Sequence, residues 1–143
     1  MEVLYDVSCK SLPVSTRPSL DTIREWAAMA ARAASDKQGQ DTVVLAVGEM
    51  LAITDAFVIT SGANVRQVRS IADEIELRLK DSGAPGPRRI EGLDDARWVL
   101  MDFGDFVVHV FLDEVRDFYE LERLWADAET WAWDIGPAVA AGE

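Results

Sequence analysis

The chain has 143 residues, 49% of them hydrophobic, which is enough for one domain with a sizeable core. Its formal net charge is -12, and the excess lies between residues 91 and 134, which hold thirteen acidic and three basic residues. Such a surface repels nucleic-acid phosphates and anionic lipid and attracts basic proteins, so direct binding of RNA, DNA or membranes by this region is disfavoured.

The numbers of cysteine and histidine residues limit the kinds of site that are possible. Cys9 is the only cysteine and His109 the only histidine, which excludes a disulfide framework, a thiolate metal site and a metal site built on several histidines. No stretch approaches the roughly 20 apolar residues of a membrane span, and the first residues do not resemble a signal peptide. We therefore expect a cytoplasmic protein with no membrane contact, no metal and no cofactor.

The N-terminal part is predicted to be an extension followed by a helix. Residues 1–18 have no sustained period, which indicates that they are poorly ordered or lie along the surface. Ser19 or Asp21 can cap a helix that runs to about Lys37 and is ended by Gly39. Its apolar stripe consists of Ile23, Trp26, Ala27, Ala30 and Ala34.

The middle of the chain alternates between strands and a helix. Residues 42–47 and 56–60 are β-branched runs of the buried-strand type. A helix is predicted over about 65–82, where apolar residues recur at helical spacing, and 88–91 can form a short strand. With the hairpin and helix that follow, the pattern predicts an α/β fold, a mixed sheet of about five strands with helices packed on it.

Residues 97–112 are predicted to form a β-hairpin. Two runs rich in β-branched and aromatic residues flank Gly104-Asp105, a two-residue loop that starts with glycine. This loop sets the register, so that residue 103 faces 106, 101 faces 108 and 99 faces 110. The side chains on that face are all apolar, and we expect helices to cover them.

The opposite face of the hairpin, which we name the mixed face, carries both polar and apolar side chains. Its members are Trp98, Leu100, Asp102, Val107, His109 and Phe111. A face of this composition can meet water or another molecule, and aromatic residues dominate binding energy at protein interfaces. We therefore predict a partner-binding surface that includes Trp98, Asp102, His109 and Phe111, although Trp98 and His109 are also compatible with a core position.

A third helix is predicted directly after the hairpin, with Asp113 as its N-cap. Its apolar residues spread over more than half of its circumference, and Glu122 falls inside that arc. Either the helix is wedged between two surfaces of its own domain, or part of the arc is reserved for a partner. The residues that best fit a partner contact are Tyr119, Glu122 and Trp125.

The predicted domain spans residues 19–134, and residues 135–143 are predicted to be a flexible tail. An alternative function is suggested by Ser61-Gly62, which follows a strand and opens a helix, where backbone N–H groups can hold an anion. A residual nucleotide-binding or nucleotidyltransferase-type activity would fit there. No Asp-x-Asp pair stands in the predicted sheet to hold magnesium, and Asn64 as an ordinary N-cap explains the same residues.

Motifs along residues 20 to about 126 resemble the ribosomal silencing factors, also called the Iojap family. The matching stretches, all in one collinear order, are Thr54-Asp55, Ser61-Gly62, Arg66-Gln67-Val68, Ile71-Ala72-Asp73, Glu91-Gly92, Trp98-Val99-Leu100 with Asp102, Gly104-Asp105, Val107-Val108-His109-Val110, Arg116, Phe118-Tyr119, Leu121-Glu122 and Leu124-Trp125. The sequence departs from the pattern before residue 19 and after Ala126.

The resemblance implies a nucleotidyltransferase-like fold that lacks the catalytic acids, and hence a protein that is not an enzyme. It implies binding to the large ribosomal subunit through its ribosomal protein fourteen, which is basic, with little nucleic-acid contact. The small subunit would then be blocked sterically from joining, and translation would be damped when nutrients are limiting. The resemblance also adds Arg116 and Leu121 to the expected partner-binding residues, and the free protein could be a homodimer.

Overall fold

The computed structural model describes residues 18–48, 54–119 and 128–133, with residues 117–119 described by their backbone alone. The described residues form three helices and six strands, so the predicted α/β class with a mixed sheet is confirmed. The elements are α1 Leu20–Asp36, β1 Gln40–Ala46, β2 Ala56–Gly62, α2 Val65–Asp81, β3 Arg89–Glu91, β4 Trp98–Asp102, β5 Phe106–Leu112, α3 Asp113–Tyr119 and β6 Glu129–Thr130. Residues 1–17 of the predicted extension and the whole predicted tail, residues 135–143, lie outside the described residues.

The strands form one sheet in the order β3-β4-β5-β2-β1-β6. The central pair, β2 and β5, is parallel, and all the other neighbours are antiparallel. A parallel pair needs a long crossover connection, and α2 with the β3–β4 segment supplies it. This topology brings the hairpin of β4 and β5 next to β2, so residues far apart in sequence share one sheet face.

Helices α1 and α2 cover one face of the sheet and enclose the larger core. Ser19 caps α1 by accepting a hydrogen bond from the Thr22 backbone N–H, and Asn64 caps α2 in the same way through Gln67. The predicted stripe of α1 is buried except for Trp26, which is partly exposed. Val99, Met101, Phe103, Phe106, Val108 and Val110 face these helices, as the hairpin register predicted.

The other face of the sheet carries a smaller apolar cluster formed by Leu45, Val47, Ile59, Phe111 and Val115. Val115 belongs to α3, which begins immediately after β5 and packs on this face. Asp113 is the first residue of α3, where the sequence analysis placed an N-cap. The boundary differs by one residue because strand and helix adjoin without a connecting loop.

Strand β6, which pairs antiparallel with β1, was not predicted from the sequence. Two residues are too few to show a period, so propensity gives no signal for this strand. Side chains and backbone around it fix the segment: Trp131 N–H donates to the Val44 carbonyl, and Trp133 Nε1 donates to the Thr42 carbonyl. Trp131 is buried against α1, where the Arg24 guanidinium lies 4.9 Å from the centre of its ring.

A candidate protein-binding surface on the hairpin

The hairpin of β4 and β5 has the predicted register in full. Trp98 pairs with Phe111, Leu100 with His109 and Asp102 with Val107, so the six residues of the mixed face lie on one side. The Phe103 N–H donates to the Phe106 carbonyl and closes the two-residue loop. Gly104 has a φ of +89°, which side chains rarely adopt, so glycine is required for this turn.

Trp98 lies partly exposed on the mixed face and is held in one orientation from below. Its ring stacks on Phe111 with centroids 4.9 Å apart, and its Nε1 donates to Nδ1 of His109 over 3.1 Å. Phe111 is 0% exposed and belongs to the smaller core. Since only Trp98 of this stack reaches the surface, a partner would meet Trp98, with Phe111 as its support.

His109 is 5% exposed and carries a neutral imidazole. Burial lowers the pKa of His109 to about 4, because the charged form would lose its hydration. Its Nδ1 accepts the hydrogen bond from Trp98, so the proton of the neutral ring is on Nε2. The edge of Phe57 contacts the ring with centroids 4.8 Å apart.

Asp102 lies at the end of the mixed face next to the hairpin turn and stabilises this turn. Its Oδ1 accepts a hydrogen bond of 2.8 Å from the Gly104 N–H, and its Oδ2 lies 3.9 Å from Nε of Arg89. One of the roughly four acceptor sites of the carboxylate is therefore used within the hairpin. The carboxylate is partly exposed and remains within reach of a basic partner.

Arg116 of α3 is 6% exposed and points toward β1 and β2. Its Nη1 donates to the Gln40 carbonyl over 3.1 Å and lies 3.4 Å from Oγ of Ser61. These bonds join α3 to the ends of two strands, so the structure gives Arg116 an internal role. The backbone of Tyr119 ends the described part of α3, whereas Leu121, Glu122 and Trp125 lie outside the described residues.

Comparison with known proteins identifies the family. Residues 20–141 match the family model described as "Ribosomal silencing factor during starvation". The chain belongs to this family. The match extends past Ala126, where the resemblance drawn from motifs ended, and therefore includes β6, Trp131 and Trp133.

Two relatives and one solved structure illustrate the similarity. A ribosomal silencing factor RsfS of Bacillus subtilis is 41% identical over 76% of this chain and 91% of its own length. The mouse protein named mitochondrial assembly of ribosomal large subunit protein 1 is 36% identical over 62% of this chain and 40% of its own length. A crystal structure from Chromobacterium violaceum superposes with a TM-score of 0.70 at 33% identity, covering 81% of this chain and 95% of that one.

In this member of the ribosomal silencing factor family, the Ser61-Gly62 segment is occupied by internal contacts. The Ser61 hydroxyl is buried and donates to the Gln40 carbonyl, and the Ala63 N–H donates to the side chain of Gln67. A Cβ at Gly62 would meet Val68 at 3.1 Å, so this glycine is required for close packing of strand and helix. No group of three potential metal ligands occurs among the described residues, and none of the described helices is long and apolar enough to cross a membrane.

A cavity of about 290 Å³, not predicted from the sequence, lies at the end of the mixed face next to the hairpin turn. Asp102, Val107, His109 and Leu100 come from the hairpin, and the remaining lining residues are Thr54, Phe57, Arg88, Arg89 and Gly104. Thr54 and Phe57 reach the cavity only because β2 lies beside β5. The short Thr54-Asp55 match was the one sequence signal for this region, and it carried no indication of a cavity.

Proposed function

We propose that this protein is a translational repressor that binds the large ribosomal subunit and sterically prevents the small subunit from joining. The proposed contact is the basic ribosomal protein fourteen of the large subunit, and the proposed occasion is nutrient limitation. Membership of a family described as silencing the ribosome during starvation is the observation that carries this proposal. The name of the mouse relative, which refers to the ribosomal large subunit, supports the choice of subunit.

The charge of the chain supports a basic protein as the partner. Between residues 91 and 134 the acids outnumber the bases by thirteen to three, and this region includes the mixed face and α3. Ribosomal RNA would be repelled by such a surface, while a basic ribosomal protein would be attracted and its encounter accelerated. A protein contact with little RNA in it is therefore the better match.

Trp98 is the proposed anchor of the interface. It is partly exposed, its ring is preordered by Phe111 and its Nε1 by His109, so little side-chain entropy is lost when a partner packs on it. Asp102 is placed on the same face for a basic group of the partner. We propose that Tyr119, Leu121, Glu122 and Trp125 extend the contact beyond the hairpin.

Replacing the anchor tests this assignment. We expect Trp98→Ala to weaken binding to purified large subunits about thirtyfold, which corresponds to about 2 kcal/mol. Binding is measured by sedimentation, and the melting temperature is measured on the same sample. Trp98→Ala also removes the ring above Phe111, so a lower melting temperature is expected with the fold retained.

The matched control is Trp26→Ala, which removes another partly exposed tryptophan, on α1 at the opposite face of the sheet. Trp26→Ala should leave binding unchanged. Trp98→Phe keeps an aromatic ring on Phe111 but lacks the donor to His109. Its affinity for the large subunit should lie between those of the unaltered protein and of Trp98→Ala. Unchanged binding by a folded Trp98→Ala protein would remove Trp98 from the interface.

The electrostatic part of the proposal predicts a salt-dependent association rate. Higher ionic strength should slow association with the large subunit more than it speeds dissociation, because charges are screened over about 8 to 10 Å at physiological salt. Glu114→Lys on α3 should slow association more than Asp73→Lys on α2, although both exposed substitutions change the net charge equally. Stopped-flow measurements with equal rates for the two variants would contradict acidic steering by this surface.

A further inference from the structure

We propose that the cavity at the end of the mixed face next to the hairpin turn binds a small carboxylate that carries an apolar group. The cavity has a volume of about 290 Å³, just below the usual range for small-molecule sites. It lies on the same face of the hairpin as Trp98, but Trp98 is not among the residues that line it. The inference concerns the isolated protein and does not rest on the proposed ribosomal function.

Two side chains that line this cavity each carry a buried polar atom without a hydrogen-bond partner within the described residues. The two atoms are Nε2 of His109 and Oγ1 of Thr54, on side chains that are 5% and 6% exposed. The Trp98 bond to Nδ1 places the ring proton of His109 on Nε2, so this atom is a donor, and the threonine hydroxyl can donate as well. An acceptor would therefore satisfy either atom.

Unsatisfied buried donors are costly, and a folded protein contains few of them. Here two of them belong to side chains that line the same cavity, contributed by the segment before β2 and by β5. One ligand carrying two acceptor oxygens can satisfy both. A carboxylate has that geometry, with two oxygens on one carbon.

The residues that line the cavity carry one more positive than negative charge, within a region that is acidic as a whole, and Arg89 also lies 3.3 Å from Glu91. Arg88 and Arg89 line it together with Asp102, the one acidic residue of the lining. The Asp102 carboxylate already accepts from the Gly104 N–H and lies near Arg89. The guanidinium of Arg88 reaches the turn at Gly104, where it can approach an anion at the mouth of the cavity.

The remaining lining is apolar and selects the rest of the ligand. Phe57, Leu100 and Val107 form the walls, which would leave a phosphate or sulfate without enough polar partners. A short aliphatic or aromatic group would be buried against them. Together, the two donors, the arginines and the apolar walls favour a ligand with one carboxylate and a small aliphatic or aromatic group.

The test uses benzoate as the probe and the only histidine of the chain as the reporter. Benzoate, titrated into ¹⁵N-labelled protein, should shift the Nε2 signal of His109 and the Thr54 amide with one saturable curve. Bound carboxylate should also raise the pKa of His109 from its value in the unliganded protein, since an adjacent negative charge favours the imidazolium. Inorganic phosphate at equal ionic strength and benzyl alcohol should each bind at least tenfold more weakly.

Two variants test the assigned donors. Thr54→Val is close in shape and removes a hydroxyl that has no hydrogen-bond partner among the described residues, so the fold should be kept while benzoate binding falls about tenfold. Arg88→Gln should weaken benzoate binding as well, and Arg66→Gln, an exposed position on α2, should not. The proposal is overturned if benzoate gives no saturable shift, if phosphate or benzyl alcohol binds equally well, or if Thr54→Val binds benzoate like the unaltered protein.

Discussion

Phe111→Ala is expected to lower the free energy of unfolding by about 3 to 5 kcal/mol. Phe111 is fully buried, and its neighbours Leu45, Ile59 and Val115 come from three different elements. Removal of the ring leaves a cavity that a sheet held by strands on both sides cannot close. It also leaves Trp98 without the ring on which it stacks. Urea unfolding measures the loss directly.

Phe111→Leu is the matched variant, since it keeps an apolar side chain at the position and should cost much less. Comparison of the two variants shows whether Phe111 stabilises the core below Trp98 or contacts the partner itself. If Phe111→Ala melted like the unaltered protein but failed to bind large subunits, Phe111 would be a contact residue and its assignment to the core would be wrong. A large loss of stability, with binding by the Phe111→Leu protein retained, would agree with the structure.

Acid is expected to destabilise the protein through His109 by about 3 kcal/mol. In the unfolded chain the imidazole has an ordinary pKa of about 6.5, whereas burial lowers the pKa of His109 to about 4 in the folded state. Above about pH 6.5 the ring is neutral in both states and contributes no pH dependence. As the pH falls from about 6.5 to about 4, the unfolded state binds a proton that the folded state does not, so stability is lost across this window.

The matched variant is His109→Phe, in which the ring cannot be protonated. Carboxylates also titrate in this range, so the contribution of His109 is the difference between the unfolding free energies of the two proteins at each pH. That difference should be constant above about pH 6.5 and should change by about 3 kcal/mol down to about pH 4. NMR titration of the single histidine gives its pKa independently. A pKa near 6.5 in the folded protein would contradict burial of the neutral ring.

The hairpin was predictable because local chemistry fixes it. Gly104-Asp105 allows a two-residue loop, the loop sets the register, and the alternation then assigns every side chain of residues 98–111 to a face. Helices α1 and α2 were predictable for a similar reason, since caps at Ser19 and Asn64 precede clear apolar stripes.

The burial of Phe111 and His109 was not predictable, because their neighbours arrive from distant parts of the chain. Leu45 and Ile59 reach the mixed face only through the pairing of β2 with β5 and of β1 with β2. The cavity depends on the same pairing, which brings Thr54 beside the hairpin. A hydrophobic period shows which side of a strand is apolar, but it does not show which strand will lie next to it.

The wide apolar arc predicted for the helix after the hairpin shows both what the sequence can predict and what it cannot. Its excess of apolar residues implied two contact surfaces, and Val115 with the buried Arg116 shows that one of them is the sheet. The second surface is the one we assign to the partner. Neither its position nor its chemistry could be obtained from the helical period alone, because a helix in a domain and a helix in a complex bury the same kind of residue.

The central proposal, that this protein keeps the ribosomal subunits apart, is tested most directly by subunit joining itself. Purified large subunits are incubated with the protein, small subunits are added, and the joined ribosomes are measured by light scattering and by sedimentation in a sucrose gradient. Joining should fall in proportion to the large subunits occupied, and Trp98→Ala should restore joining at the same protein concentration while Trp26→Ala should not. Undiminished joining of large subunits that sediment with the bound protein would contradict the proposal.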